Sequence, residues 1–134
     1  MYRLIIRSVL EFALPLWTGA LTLINREKIE RVQKACFKLM LSNKYTNYET
    51  ALKLLDEQTL QERRQKLCLK FAKKSAKNPK MKHLFKKQTS YPTRLRPYME
   101  PLTHSKRAYT GCIPHLIRLL NEDALAKSKS GNKQ

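Results

Sequence analysis

Apolar residues stand almost all round the first stretch of the chain, from Tyr2 to Leu14. Among its polar residues, Arg7, Ser8 and Glu11 share one narrow stripe. The pattern predicts a helix buried on most sides, with Arg7 and Glu11 one turn apart and able to pair. Pro15 is expected to end or kink it, because the residue before a proline leaves the helical region. Leu16 and Trp17 then read as an anchor against the next element. After the turn Thr18-Gly19-Ala20, Asn25 is the expected N-cap of a long helix reaching about Leu41. Glu27 and Glu30 in its first turns suit the helix dipole. Ile29, Val32, Cys36, Leu39 and Met40 form its predicted buried stripe, and Arg31, Lys34 and Lys38 face away. Gln33 lies at the edge of that stripe and is expected to hydrogen-bond a backbone group.

Asn47 is expected to cap a short helix from Tyr48 to about Asp56, with Ala51, Leu52 and Leu55 inward. The clearest pattern follows. Thr59 and Glu62 have the spacing of a capping box. On a helical wheel Leu60, Leu67, Cys68, Phe71 and Ala72 share one arc, and Arg63, Lys66, Lys70, Lys73, Lys74 and Lys77 share another. Arg64 falls inside the apolar arc, where a charge needs a partner. Glu11 and Glu30 are the expected candidates, so Arg64 reads as an internal brace. Asn78-Pro79 stops this helix, and Pro79 can open a further short one carrying Met81, Leu84 and Phe85. Four prolines (Pro92, Pro97, Pro101 and Pro114), with Tyr91, Tyr98, Tyr109, Arg94, Arg96, Lys106 and Arg107, mark an extended, docked segment. Pro114 opens a last helix bearing Leu116, Ile117, Leu119, Leu120 and Leu125. Residues 126–134 are small, polar and basic, and disorder is expected there.

The expected fold is therefore all-α: a small bundle of about four to six helices with an extended Pro/Tyr/Arg segment and a disordered tail. The expected divisions are a helical bundle over 1–87, an extension over 88–125 and the tail over 126–134. A length of 134 residues allows one domain with a modest core, and three glycines are few for an all-β or Rossmann-type chain.

Charge changes the picture most. The formal net charge is +18. Residues 1–62 hold nine Lys/Arg and seven Asp/Glu, whereas residues 63–134 hold nineteen and three. Residues 63–87 contain eleven basic residues and no acid. Such a charge repels itself until a polyanion neutralises it, which points to nucleic acid or an acidic membrane surface as the partner. Lysines and arginines at i, i+3, i+4 and i+7 can follow successive phosphates, so Arg63, Lys66, Lys70, Lys73, Lys74 and Lys77 are the expected backbone-contact residues. Glu11, Trp17, Gln33 and Arg64 are the expected structural ones.

Catalytic chemistry finds little support. Asp56 and Asp123 are the only aspartates, and His83, His104 and His115 have no nucleophile elbow beside them. Cys112-x-x-His115 has zinc-ligand spacing but supplies half a site, so no metal and no cofactor is expected. Cys36, Cys68 and Cys112 are odd in number and widely spaced, which favours a reducing compartment. Glu11 and Pro15 interrupt the first apolar run, so neither a secretory signal nor a membrane span fits. The expectation is an intracellular protein, nuclear or cytoplasmic, that is not secreted and has no membrane partner.

Four blocks resemble a known family. Tyr2 through Trp17 is similar to the "I-R-x-V-L-E-Y-x-x-P-x-W" segment of non-LTR retrotransposon reverse transcriptases, with Phe12 for the usual Tyr. Ile29-Glu30-Arg31-Val32-Gln33-Lys34-Ala35 resembles the "I/L-E-x-x-Q-x-x-A" helix that follows. Thr59-Leu60 with Arg63-Arg64 resembles "T-L-x-x-R-R", and Ile113-Pro114 through Leu119-Leu120-Asn121 resembles "I-P-x-x-x-x-x-L-N". Gly111-Cys112 stands where small polar residues are common. The order and extent, roughly residues 2–121, look most like the jockey-like and related endonuclease–reverse transcriptase polyproteins. The resemblance implies the region after the polymerase palm: thumb-like helices and a C-terminal extension that brace the palm and grip the template–primer duplex. The palm's paired aspartates have no matching position here, so it implies no catalytic residue. It also implies an upstream palm as a packing partner for the over-apolar first helix. The alternative expectation is an interaction or structural remnant of a decayed element, with no nucleic-acid role.

Overall fold

The computed structural model describes residues 2–88 and 96–131, and among them the chain is all-α. Two compact units divide it. One comprises the residues up to Leu14 with Leu21–Lys66, the other Pro15–Ala20 with the residues from Leu67 onward. The division falls within one helix, between Lys66 and Leu67.

In the first unit the chain opens as a single π-helical turn, Tyr2–Ile6, that passes into α1 (Arg7–Glu11). The break comes before the proline: Ala13 adopts φ 48°, and α2 (Leu14–Trp17) begins next. Pro15 thus sits in the first turn of a helix, where its missing N–H leaves no hydrogen bond unmade. Burial also departs from expectation. Tyr2 and Leu14 are buried, but Leu4 is 81% and Phe12 78% exposed, and Ile5 and Val9 are exposed as well.

The long helix α3 (Leu23–Leu41) is capped by Thr22, whose Oγ1 accepts from the Asn25 amide at 3.3 Å. Asn25 is therefore inside the first turn and is not the cap. The buried face is also rotated from the predicted one. Gln33 and Phe37 are buried, Ile29 and Cys36 are half-buried, and Val32, Leu39 and Met40 are exposed. Phe37 decides the matter. Its ring meets Tyr2 edge-on with centroids 5.3 Å apart and stacks on Tyr48 at 6.0 Å. Tyr2, Phe37 and Ala51 form the core of this unit, with Ile6, Cys36, Leu41, Tyr45, Tyr48, Leu52 and Leu55 packed around them. Asn47 precedes α4 (Tyr48–Leu54) in extended backbone, and its carbonyl accepts from the Ala51 amide at 3.0 Å.

Helix α5 (Leu60–Lys77) starts as its spacing predicts, with Thr59 Oγ1 accepting from the Glu62 amide at 3.2 Å. Leu60, Arg64, Cys68, Ala72 and Ser75 form one buried line along it, and Phe71 lies at the rim. The helix ends ahead of Asn78-Pro79. Pro79 opens no α-helix of its own; a 3-10 turn, Lys82–Leu84, comes next and precedes the buried Phe85.

The extended segment is partly visible. Gln88 N–H donates to the Pro97 carbonyl at 3.0 Å, and Met99 N–H to that of Lys86 at 2.9 Å, around an antiparallel bridge between Lys87 and Tyr98. Tyr91, Pro92 and Arg94 lie outside the described residues. Helix α6 (Lys106–Tyr109) is capped by Ser105, and α7 (Cys112–Gly131) carries Pro114 in its first turn. Leu116, Ile117 and Leu120 of α7 are buried. Against the expectation of disorder, α7 continues through residues 126–131. Alanine and lysine are good helix formers, and Lys127 and Lys129 suit a helix C-terminus. Gly19 fits closely against this unit: a Cβ there would lie 2.6 Å from the Thr110 carbonyl oxygen and 2.9 Å from His115 Cβ.

Buried Asn121 ties α7 to the extended segment. Its Oδ1 accepts from Tyr98 N–H at 3.1 Å, and its Nδ2 donates to the Tyr98 carbonyl at 3.0 Å. The side-chain amide thus satisfies both backbone groups of one residue. Asn121→Ala leaves them without these bonds and is expected to remove about 1–3 kcal/mol, read as a lower urea midpoint. A midpoint equal to that of the unaltered chain would show that water replaces the amide without loss.

Candidate nucleic-acid interface

The six cations expected to contact phosphate do not share one fate. Arg63 forms an ion pair with Glu11, Nη2 lying 3.2 Å from Oε2 and Nε bonding Oε1. That hydrogen bond raises the Arg63 pKa further. Lys66 is exposed and donates to Gln58 Oε1 at 2.8 Å. Lys73 pairs with Asp123 at 2.9 Å, and Lys127 approaches the same oxygen at 3.2 Å. The two lysines hold the Asp123 carboxyl below the usual aspartate range. Lys70, Lys74 and Lys77 are exposed and make no ion pair among the described residues. Of the expected arc, these three are the cations most open to a ligand.

The residues expected to be structural also sort unevenly. Gln33 is 1% exposed, and its Nε2 donates to the Gln58 carbonyl at 3.1 Å, the backbone partner that its position predicts. Its Oε1 accepts from the Tyr48 hydroxyl at 3.1 Å. Trp17 is half-buried at the end of α2. Arg64 is 4% exposed, as expected of an internal brace, and Glu11, one of its two expected partners, binds the neighbouring Arg63. Glu30 Oε1 accepts from the Tyr48 hydroxyl at 2.5 Å and the Leu60 amide at 3.2 Å. Burial and the Glu30 bond together raise the Tyr48 phenol pKa well above its ordinary value. Arg64 and Glu30 both line a cavity of about 490 Å³ with Arg26, Glu27, Arg31 and Lys34.

Glu57 escapes sequence reasoning altogether. Its carboxylate lies 2.6 Å from Arg3 Nε and 2.9 Å from Arg7 Nη1, and Arg7 Nε is 3.7 Å from Glu11. With Arg63 this makes a ladder of alternating charge, Arg3–Glu57–Arg7–Glu11–Arg63. Only its Arg7–Glu11 step, at i,i+4, is legible from spacing. Tyr2 packs beside it, and burial, with the Glu57 charge adding to it, pushes its phenol up to about 12.

Among the described residues no three His, Cys, Asp or Glu side chains gather to hold a metal ion, and no helix is long and apolar enough to cross a membrane. Burial pushes the Cys112 thiol up. No family model, curated protein or solved structure matches the chain.

Proposed function

We propose that the chain is the non-catalytic C-terminal portion of a non-LTR retrotransposon reverse transcriptase, binding the nucleic-acid backbone without reading sequence. The observation that carries this is the acid-free run over residues 63–87, in which Lys70, Lys74 and Lys77 stay exposed along α5. Seven residues of helix rise about 10 Å. One strand of duplex advances about 3.4 Å along its axis per phosphate, so the row can face two or three neighbouring phosphates. The four-block resemblance to the reverse transcriptases supplies the setting. The reading gives these residues a grip on template and primer and no chemistry of their own.

A second reading has its own support in the exposed Leu4, Ile5, Val9 and Phe12, an apolar face suited to a protein partner in a remnant with no nucleic-acid role. One titration separates the two. Binding to a labelled duplex should weaken linearly in log–log salt. Substituting Lys70, Lys74 and Lys77 together by Gln should reduce the slope by about 2–3, at 0.7–0.9 per phosphate neutralised. A slope untouched by the triple substitution, or binding indifferent to salt, removes the nucleic-acid reading.

A further inference from the structure

Tyr109 and Arg118 form an arrangement that the backbone grip on α5 does not use. The Arg118 guanidinium carbon lies 3.9 Å from the centroid of the Tyr109 ring, in contact with one face. Arg118 Nη2 also donates to the Tyr109 carbonyl at 3.1 Å, so the guanidinium is held in place. The tyrosine's backbone is held too. Its N–H donates to the Ser105 carbonyl at 3.0 Å, and the next residue, Thr110, bonds back through Oγ1 to the carbonyls of Lys106 and Arg107, both at 3.2 Å. Yet Tyr109 remains 50% exposed. Arg118 lies over one face, so a ligand would reach the ring by its other face or its edge.

The surroundings favour a polyanion. Lys106 and Arg107, in the same short helix, are exposed and make no ion pair among the described residues. Residues 101–121 contain no acid. A fixed aromatic ring backed by a cation and flanked by further cations suits stacking on a base whose phosphates meet the charges. A base within a duplex has both faces covered by its neighbours, so only an unpaired base can offer one to the ring.

We infer that Tyr109, clamped by Arg118, is a stacking platform for an unpaired nucleobase, with Lys106 and Arg107 meeting the flanking phosphates. The inference rests on the nucleic-acid reading above and extends it from backbone grip to single-stranded segments.

The test compares two probes of equal length: an oligodeoxythymidylate and an abasic strand with the same backbone. Affinities come from fluorescence anisotropy of the full chain. The chain should bind the base-bearing strand more tightly. Tyr109→Ala should weaken that strand roughly 5- to 100-fold, toward the abasic affinity, and leave the abasic affinity unchanged. Tyr109→Phe should keep the preference. If circular dichroism shows Tyr109→Ala unfolded, Tyr109→Leu takes its place with the same expectation. Equal affinity for both strands in the unaltered chain overturns the platform and leaves the backbone grip standing. So does a base preference that survives in the folded variant. Binding to neither strand overturns the platform, and the duplex titration decides the backbone grip separately.

Discussion

Phe37→Ala is expected to remove about 3–5 kcal/mol of stability, a large share of what a small domain possesses. Phe37 is fully buried at the centre of the first unit, its ring between those of Tyr2 and Tyr48. Truncation forfeits the transfer energy of the ring, both aromatic contacts and the packing of Ala51 and its neighbours around the void. A urea titration followed by circular dichroism reads the effect as a lower midpoint. Leu39→Ala is the informative comparison. Both residues belong to α3, but Leu39 is 83% exposed and its truncation should change stability by less than about 0.5 kcal/mol. A larger loss at Leu39 than at Phe37 would mean that α3 buries the face its periodicity favours.

Glu57→Gln should come second, at about 2–3 kcal/mol. The Glu57 side chain is almost buried and meets two arginines. Removing a charge from a buried pair leaves the opposite charge uncompensated, at about 3–5 kcal/mol when both groups are fully buried. Here Arg3 is largely exposed and contributes little, whereas Arg7 is mostly buried and keeps only the longer contact to Glu11. A double-mutant cycle isolates the coupling: Arg7→Met should cost less when combined with Glu57→Gln than when made alone in the original chain. Simple additivity would mean that the two rungs act independently.

Sequence periodicity carries the fold class and fails mainly where a helix has more than one possible buried face. On α3, Val32, Leu39 and Met40 compete with Phe37 and Gln33, and no local rule ranks them. Tyr2, Tyr48 and Ala51 settle the competition, and they come from distant parts of the chain. Arg64 was legible as buried because its position between Leu60 and Cys68 is a property of one helix. The Arg63–Glu11 pair was not legible, because it depends on the tertiary position of Glu11. Thr22 and Asn25 are both good caps at the same end, and backbone geometry chose the first. Glu57 follows a residue with φ 49°, Asp56, in a turn with no periodicity to place it. The candidate interface was legible as a basic arc on α5. Its reduction to Lys70, Lys74 and Lys77 depends on Glu11, Gln58 and Asp123, brought in from elsewhere in the sequence.

The charge ladder and the lysine row respond differently to dissolved electrolyte. At about 1 M salt the Debye length falls to about 3 Å, and contacts from exposed lysines to phosphate are largely screened. Arg7, Glu11 and Glu57 are mostly withdrawn from solvent, and their mutual attraction is screened far less. Concentrated salt is therefore expected to release any nucleic acid held by exposed lysines while the ladder stays closed.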